Sequence, residues 1–211
     1  MKLIVLGAPG AGKGTQAKLI SEKLNIPAIS TGAIIREAIE EKTKFGMMAK
    51  TYIDKGELVP DDAIIAMVTD RLKNDDCNKG YILDGFPRTL NQAKAMEDNG
   101  IKIDMALSLE VEDEVIVKRL SGRRECSHCR TPYHVETHPP KREGICDECG
   151  APLITREDDN PDTVIARLKV YHEKTAPLKE YFESKGILKK IVGEATIEAT
   201  TDNVMAALKS L

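Results

Sequence analysis

The chain opens on Leu3-Ile4-Val5-Leu6, an apolar run too short for a helix and followed at once by glycines. That pattern predicts a buried strand over 2–6. Similar short runs predict strands over 27–30, 80–84, 104–109 and 188–192. Between them, apolar residues spaced three and four apart predict amphipathic helices over 13–24, 31–42, 61–73, 90–99, 112–121, 161–184 and 201–210. Thr201 is the expected N-cap of the last helix. Short apolar strands alternating with amphipathic helices imply an α/β fold, with a five-stranded parallel sheet covered by helices on both faces.

Two segments interrupt the alternation. Residues 30–59 read as helical without a clear strand and end in the turn-like Gly56-Glu57-Leu58-Val59-Pro60. Residues 122–159 hold four cysteines and three of the four histidines, with few apolar residues. Such a piece cannot bury enough surface to fold unaided, so it needs a staple. The expected organisation is a core of residues 1–29, 60–121 and 160–211, a helical insertion over 30–59, and a small module over 122–159.

The glycines after the first strand carry the first chemistry. Gly7-Ala8-Pro9-Gly10-Ala11-Gly12-Lys13-Gly14-Thr15 lies between a strand and a helix. Glycines let backbone N–H groups converge on phosphate oxygens, the helix N-terminus adds unpaired N–H groups, and Lys13 adds a point charge. A P-loop NTPase-like core that handles a nucleoside triphosphate follows. One departure stands out: the general pattern has a hydroxyl directly after the lysine, and here Gly14 intervenes before Thr15.

Cys126-x-x-Cys129 and Cys146-x-x-Cys149 are separated by sixteen residues. Two such pairs of thiolates close a tetrahedron around zinc, and four ligands leave no open position for water, so the expected role is structural. The donor chemistry also suits iron. His128, His134 and His138 read as surface residues, with a nucleobase contact by Tyr133 or His134 as the weaker reading. Cys77 reads as an ordinary free thiol.

Tyr81-Ile82-Leu83-Asp84-Gly85-Phe86-Pro87-Arg88 is a second dense cluster. Asp84 ends an apolar strand, where a carboxylate can orient Mg²⁺ or its waters, and Arg88 offers a planar fork for phosphate oxygens. Arg36, Arg119, Arg123, Arg124, Arg156 and Arg167 gather where the two odd segments meet the core. Arginines at both hinges of 122–159 suit a flap that closes over polyphosphate and excludes water. A formal charge of -3 argues against a general nucleic-acid binder. No apolar stretch reaches the roughly 20 residues that span a bilayer, and no secretory leader is apparent, so a cytoplasmic protein without a membrane partner is expected.

Taken together, these residues resemble the bacterial adenylate kinases with a long, zinc-bearing lid. The motifs are Gly7–Thr15 with Gln16, Ser30-Thr31-Gly32 with Arg36, Gly56–Asp61, Asp84–Thr89 with Gln92, Gly122-Arg123-Arg124, and Asp158-Asp159 leading to Arg167. The resemblance implies transfer of a phosphoryl group from Mg²⁺·ATP to AMP, giving two ADP, by a monomer. It implies that 30–59 binds AMP and 122–159 is the lid. By carry-over, Gly10, Ala11, Gly12, Lys13, Gly14 and Thr15 hold ATP phosphates, Arg119 stacks on the ATP adenine, and Pro132, Tyr133 and Ala195 contact the ATP side. Thr31, Arg36, Glu57, Leu58, Val59, Gly85, Phe86, Pro87, Arg88 and Gln92 form the AMP pocket. Lys13, Asp84, Arg88, Arg123, Arg156, Arg167, Asp158 and Asp159 are the expected catalytic set, with Arg123, Arg156 and Arg167 gripping phosphates of the two nucleotides, Arg123 on the ATP side. Many relatives carry an acid where this chain has Ala33, which leaves Asp84 as the main carboxylate near Mg²⁺. The residues leave open another nucleoside monophosphate kinase, and a zinc-ribbon nucleic-acid module on an ATP-dependent switch.

Overall fold

A computed structural model describes residues 1–209. In chain order, β1 (Lys2–Gly7) leads through the glycine loop into α1 (Lys13–Leu24), and β2 (Ala28–Ser30) runs directly into α2 (Thr31–Glu40). Then come α3 (Lys44–Ile53), α4 (Asp61–Arg71), β3 (Tyr81–Asp84), α5 (Leu90–Asp98), β4 (Met105–Glu110) and α6 (Asp113–Gly122). The cysteine module contributes β5 (Arg123–Cys126), β6 (Pro132–His134) and β7 (Leu153–Ile154). The chain closes with α7 (Pro161–Val170), α8 (Leu178–Ser184), β8 (Leu188–Val192) and α9 (Ile197–Leu208).

The five expected strands pair in the order β2-β3-β1-β4-β8, all parallel. The unbroken apolar runs are explained by burial on both faces. Leu3, Val5, Leu107 and Leu109 pack against Ala17 and Ile20 of α1 and Val204 and Leu208 of α9. Ile4, Leu6, Leu83 and Ala106 pack the other way, against Val68, Ala93, Met96, Leu178 and Phe182. The sheet therefore presents the C-terminal ends of β1, β2 and β3 side by side, with Val5 opposite Asp84 and Asp84 opposite Ser30. Open parallel sheets bind ligands at that edge.

Several boundaries differ from expectation. The helix expected over 31–42 ends at Glu40 because Lys42 turns left-handed (φ 54°), and Thr43 then caps a separate α3 by accepting from Gly46 N–H at 3.0 Å. The helix expected over 161–184 is interrupted at Tyr171–Thr175, a π turn, just before Pro177, which has no N–H to continue the ladder. The last helix starts earlier than expected and is capped by Thr196, which accepts from Ala199 N–H at 3.2 Å. Thr201 lies inside it and donates back to Ile197 O at 2.8 Å, so it is no cap; residue 210, the expected end, lies outside the described residues. The module over 122–159 holds a three-stranded antiparallel sheet, β6-β5-β7, that the spacing of apolar residues did not reveal.

Candidate active site

Gly12 caps α1 with a left-handed φ of 95° and no side chain, which leaves the first N–H groups of the helix aimed at open space. Lys13 folds over the loop, its Nζ donating to Gly7 O at 2.9 Å and Ala8 O at 2.8 Å. Burial, reinforced by Arg88, Arg167 and Arg123 and opposed by Asp84, pushes the Lys13 pKa down to about 7. Asp84 is nearly buried at the end of β3, with a carboxylate oxygen 3.4 Å from where a Cβ on Gly14 would sit. A glycine after the lysine thus lets the loop and this carboxylate approach each other. Asp84 forms no ion pair among the described residues, and its charge acts on Lys13 and Arg88 across the site.

Beside this loop, one cleft is lined by Thr31, Arg36, Glu57, Leu58, Val59, Gly85, Pro87, Arg88, Gln92, Asp158 and Arg167, together with Lys13. Thr31 donates to Gly85 O at 2.9 Å and joins α2 to the end of β3. Gly85 has φ 79°, and a Cβ there would lie 2.8 Å from Arg88 Nη2; only glycine lets the guanidinium fold back so closely. Arg88 Nε donates to Gly85 O at 2.8 Å, and its carbonyl accepts from Thr175 Oγ1, also at 2.8 Å, in the π turn. Phe86 does not line this cleft: its side chain is 1% exposed and belongs to the core.

Gln92 sits in the first turn of α5, where Thr89 caps the helix. Its Oε1 accepts from Arg88 N–H and its Nε2 donates to Asp61, each at 2.7 Å. An amide offers two donors and two acceptor sites, so one of each is left for a ligand, and their orientation is fixed. Asp61, at the start of α4, also accepts from Thr89 and Asn91, at 2.9 and 3.0 Å. Its place as the first helical residue after Pro60 was readable, but nothing local tied it to Gln92.

The arginines at the edges of the cysteine module are held by carboxylates. Arg123 donates to both oxygens of Asp159, through Nε at 2.7 Å and through Nη2. Arg167 pairs with Asp158 at 2.7 Å and reaches Asp159 at 3.3 Å. Burial works against ionisation of Asp158, but Arg167, Arg123, Arg156 and Arg36 outweigh it and hold its pKa below the ordinary carboxylate range. Arg156 pairs with Glu125, a residue sequence reasoning missed. Arg36 is different: its pKa is lowered to about 10 by burial and then by Arg156, and its buried Nε has no partner. It remains a cation in want of an anion.

On the other side of the loop, Arg119 donates to Glu194 O at 2.7 Å, which brings it beside the exposed turn holding Ala195. Pro132 lies on β6, half-buried. Tyr133, expected on the ATP side, has its ring turned into the module. It is 4% exposed, stacks on His138, and accepts from Asp147 N–H at 2.8 Å through its hydroxyl. The residue supports the cysteine cluster instead, its hydroxyl 3.5 Å from Cys146 Sγ.

Cys126, Cys129, Cys146 and Cys149 are free thiols whose sulfurs all lie within 4.8 Å of one another. Three of the separations are 3.4, 3.5 and 3.5 Å. A tetrahedron with metal–sulfur bonds of ~2.3 Å has edges of roughly 3.8 Å, so the four sulfurs fit a single ion. Backbone N–H groups of His128 and Cys129 both donate to Cys126 Sγ at 3.4 Å, which fixes that sulfur within the cluster. No helix among the described residues is long and apolar enough to cross a membrane.

The adenylate kinase family model matches residues 5–187 of the chain. An adenylate kinase of Caldicellulosiruptor saccharolyticus is 54% identical over 212 residues, covering 99% of each chain. One from Lachnospira eligens is 54% identical over 212 residues, covering 99% of this chain and 98% of its own. One from Acetivibrio thermocellus is 50% identical over 215 residues, covering 100% and 99%. With identity of that order along its whole length, the chain belongs to the adenylate kinase family.

Proposed function

We propose the following division of labour for the reaction of this family, ATP + AMP ⇌ 2 ADP. The observation that carries it is the cleft in which Lys13, Arg36, Arg88 and Arg167 converge on one space beside the glycine loop. Gly10, Ala11, Gly12, Gly14 and Thr15 cradle the ATP phosphates, and Arg119 with the turn at Ala195 receives the adenine. Thr31, Glu57, Leu58, Val59, Pro87 and Gln92 receive AMP, with Arg36 and Arg88 on its phosphate. Residues 30–59 act as the AMP-binding part and 122–159 as the lid, on a core of 1–29, 60–121 and 160–211.

An oxygen of the AMP phosphate attacks the γ-phosphorus in line, and the bond from that phosphorus to the β–γ bridging oxygen breaks, leaving ADP on both sides. The attacking phosphate is already ionised near neutral pH, so no general base is required. Catalysis then consists of positioning and charge stabilisation. Lys13, Arg88, Arg123, Arg156 and Arg167 stabilise the transferred group, while Asp158 and Asp159 keep the lid arginines aligned. Mg²⁺ bound with ATP supplies positive charge at the β- and γ-phosphates, and Asp84 is the residue that would orient it. The lid ion is assigned as zinc, the protein as a cytoplasmic monomer.

Turnover with ATP and Mg²⁺ plus AMP, GMP, CMP or UMP tests the reading; fast ADP formation with AMP alone is the expected result, and turnover with a different acceptor overturns the pocket assignment. Gln92→Ala should lower kcat/KM for AMP by about tenfold and narrow the preference over GMP, because one hydrogen-bonded base edge is worth roughly 1–3 kcal/mol. An unchanged AMP-to-GMP ratio would remove Gln92 from base recognition.

The metal assignment has its own check. Cys149→Ser should drop the metal content below one ion per chain and lower the melting temperature, since ligand binding free energy is folding free energy for a module without a core. An unmoved thermal midpoint with one ion still bound would defeat it.

A further inference from the structure

Glu125 is a buried acid that no nucleotide contact explains. Its side chain is 1% exposed, on the central strand β5, next to Cys126. One oxygen accepts from Arg156 Nη2, the other from Arg130 Nη1 at 3.2 Å. Arg130 directly follows Cys129 and is held left-handed (φ 61°), and its second nitrogen pairs with Glu40, the last residue of α2. A chain of alternating charges, Glu40–Arg130–Glu125–Arg156, thus runs from the AMP-binding segment across the cysteine module to a lid arginine.

The chain has a physical purpose. Arg156 lies near Arg36, and each repels the other. Its buried Nε has no partner, as is also true of Arg36. An isolated buried guanidinium beside another would swing to water; a buried carboxylate on one edge keeps it in place and leaves the other edge for an anion. A second tie, Lys50 of α3 to Glu157 at 2.9 Å, runs between the same two segments.

We propose that Glu125 is a positioning residue: it anchors Arg156 by one guanidinium edge for the phosphate bound between the two segments, and through Arg130 and Glu40 it makes the lid and α2 close together. The proposal rests on the assignment of Arg156 to phosphate binding. It concerns the carboxylate charge and its geometry, with the metal module intact.

The test uses metal-loaded full-length protein. Glu125→Gln keeps the shape but removes the charge, and should lower kcat/KM for AMP by about tenfold, since misplacing a binding group by about 1 Å costs up to 10²-fold. Its melting temperature should fall, because Arg156 and Arg130 lose a buried countercharge, while metal content stays at one ion per chain and the kinetic loss falls on KM for AMP with KM for ATP unchanged, a split a merely structural role would not produce. Arg130→Gln, at a half-buried position, and Glu40→Gln, at an exposed one, should each raise KM for AMP by about threefold, and the double variant should be no worse than either. These two variants carry the test if Glu125→Gln fails to fold. Additive effects, or none, overturn the coupling. Arg156→Gln separates the two readings: a crippled Arg156→Gln beside an unaffected Glu125→Gln overturns this inference alone, whereas an unaffected Arg156→Gln overturns the phosphate assignment and the inference with it.

Discussion

Arg88→Ala is expected to lower turnover at saturating ATP and AMP by about 10²-fold or more, roughly 3 kcal/mol of transition-state stabilisation. Arg88 is the arginine most committed to the cleft. Its carboxylate neighbours are few: Arg123 and Arg167 have Asp159 and Asp158, whereas Arg88 spends its Nε on Gly85 O and keeps its terminal nitrogens for a ligand. Burial and then the charge of Arg167, against the pull of Asp84, lower its pKa from the ordinary value. A guanidinium nevertheless stays charged at neutral pH, so the site stores a desolvated cation that only an anion relieves. The relief should be greatest when charge spreads over the transferred phosphoryl group, so the loss should fall on kcat more than on KM. Arg88→Lys should recover little, because an ammonium cannot hold Gly85 O and present a fork at once. Steady-state kinetics with both nucleotides saturating decides the matter; a kcat within a few-fold of wild type would remove Arg88 from the chemistry.

The legibility of this site in the sequence follows from how far apart its partners lie. The glycine loop, the Asp84–Arg88 cluster and the cysteine pairs were readable because each packs its chemistry into a few consecutive residues. The parallel sheet was readable because its strands, covered on both faces, leave unbroken apolar runs. The partners of Glu125 are five and thirty-one residues away, and those of Gln92 lie at Arg88 and Asp61. No period or spacing links such pairs, and a glutamate between Arg124 and Cys126 reads as surface charge until the fold buries it. The surroundings of Tyr133 were hidden for a related reason: an aromatic in a cysteine-rich module can face a ligand or the metal knuckle, and only the strand pairing of β5 with β6 turns its ring inward. Thr196 and Thr201 are both plausible caps by composition. Buried Thr200 and Thr201 hide the first turn of α9 because their hydroxyls bond back to the helix and act as apolar positions.

Lys13 supplies the other large effect, and its sign is fixed by linkage. An unfolded lysine titrates near 10.5, whereas in the nucleotide-free protein burial pushes Lys13 down to about 7. Between those values the unfolded chain holds a proton the folded one lacks, so the burial of this charge costs stability in full below pH 7 and the cost fades as pH rises towards 10.5. ATP reverses the balance. Its phosphates favour the ammonium, so binding above pH 7 must take up a proton at Lys13, and ATP affinity should fall with rising pH by up to about tenfold per unit from pH 7 to 9. At pH 8.5 the phosphates are fully ionised, with a second pKa of about 6 in phosphorylated side chains, so they contribute no uptake. Calorimetric titration of ATP without AMP, in two buffers of different ionisation enthalpy at pH 8.5, reads the proton directly. Close to one proton taken up is expected for the wild type and none for Lys13→Met, whose weaker affinity should be flat across the same range. If the wild type takes up none, Lys13 is already charged in the empty site, and the carbonyls of Gly7 and Ala8 with Asp84 stabilise its ammonium better than burial disfavours it.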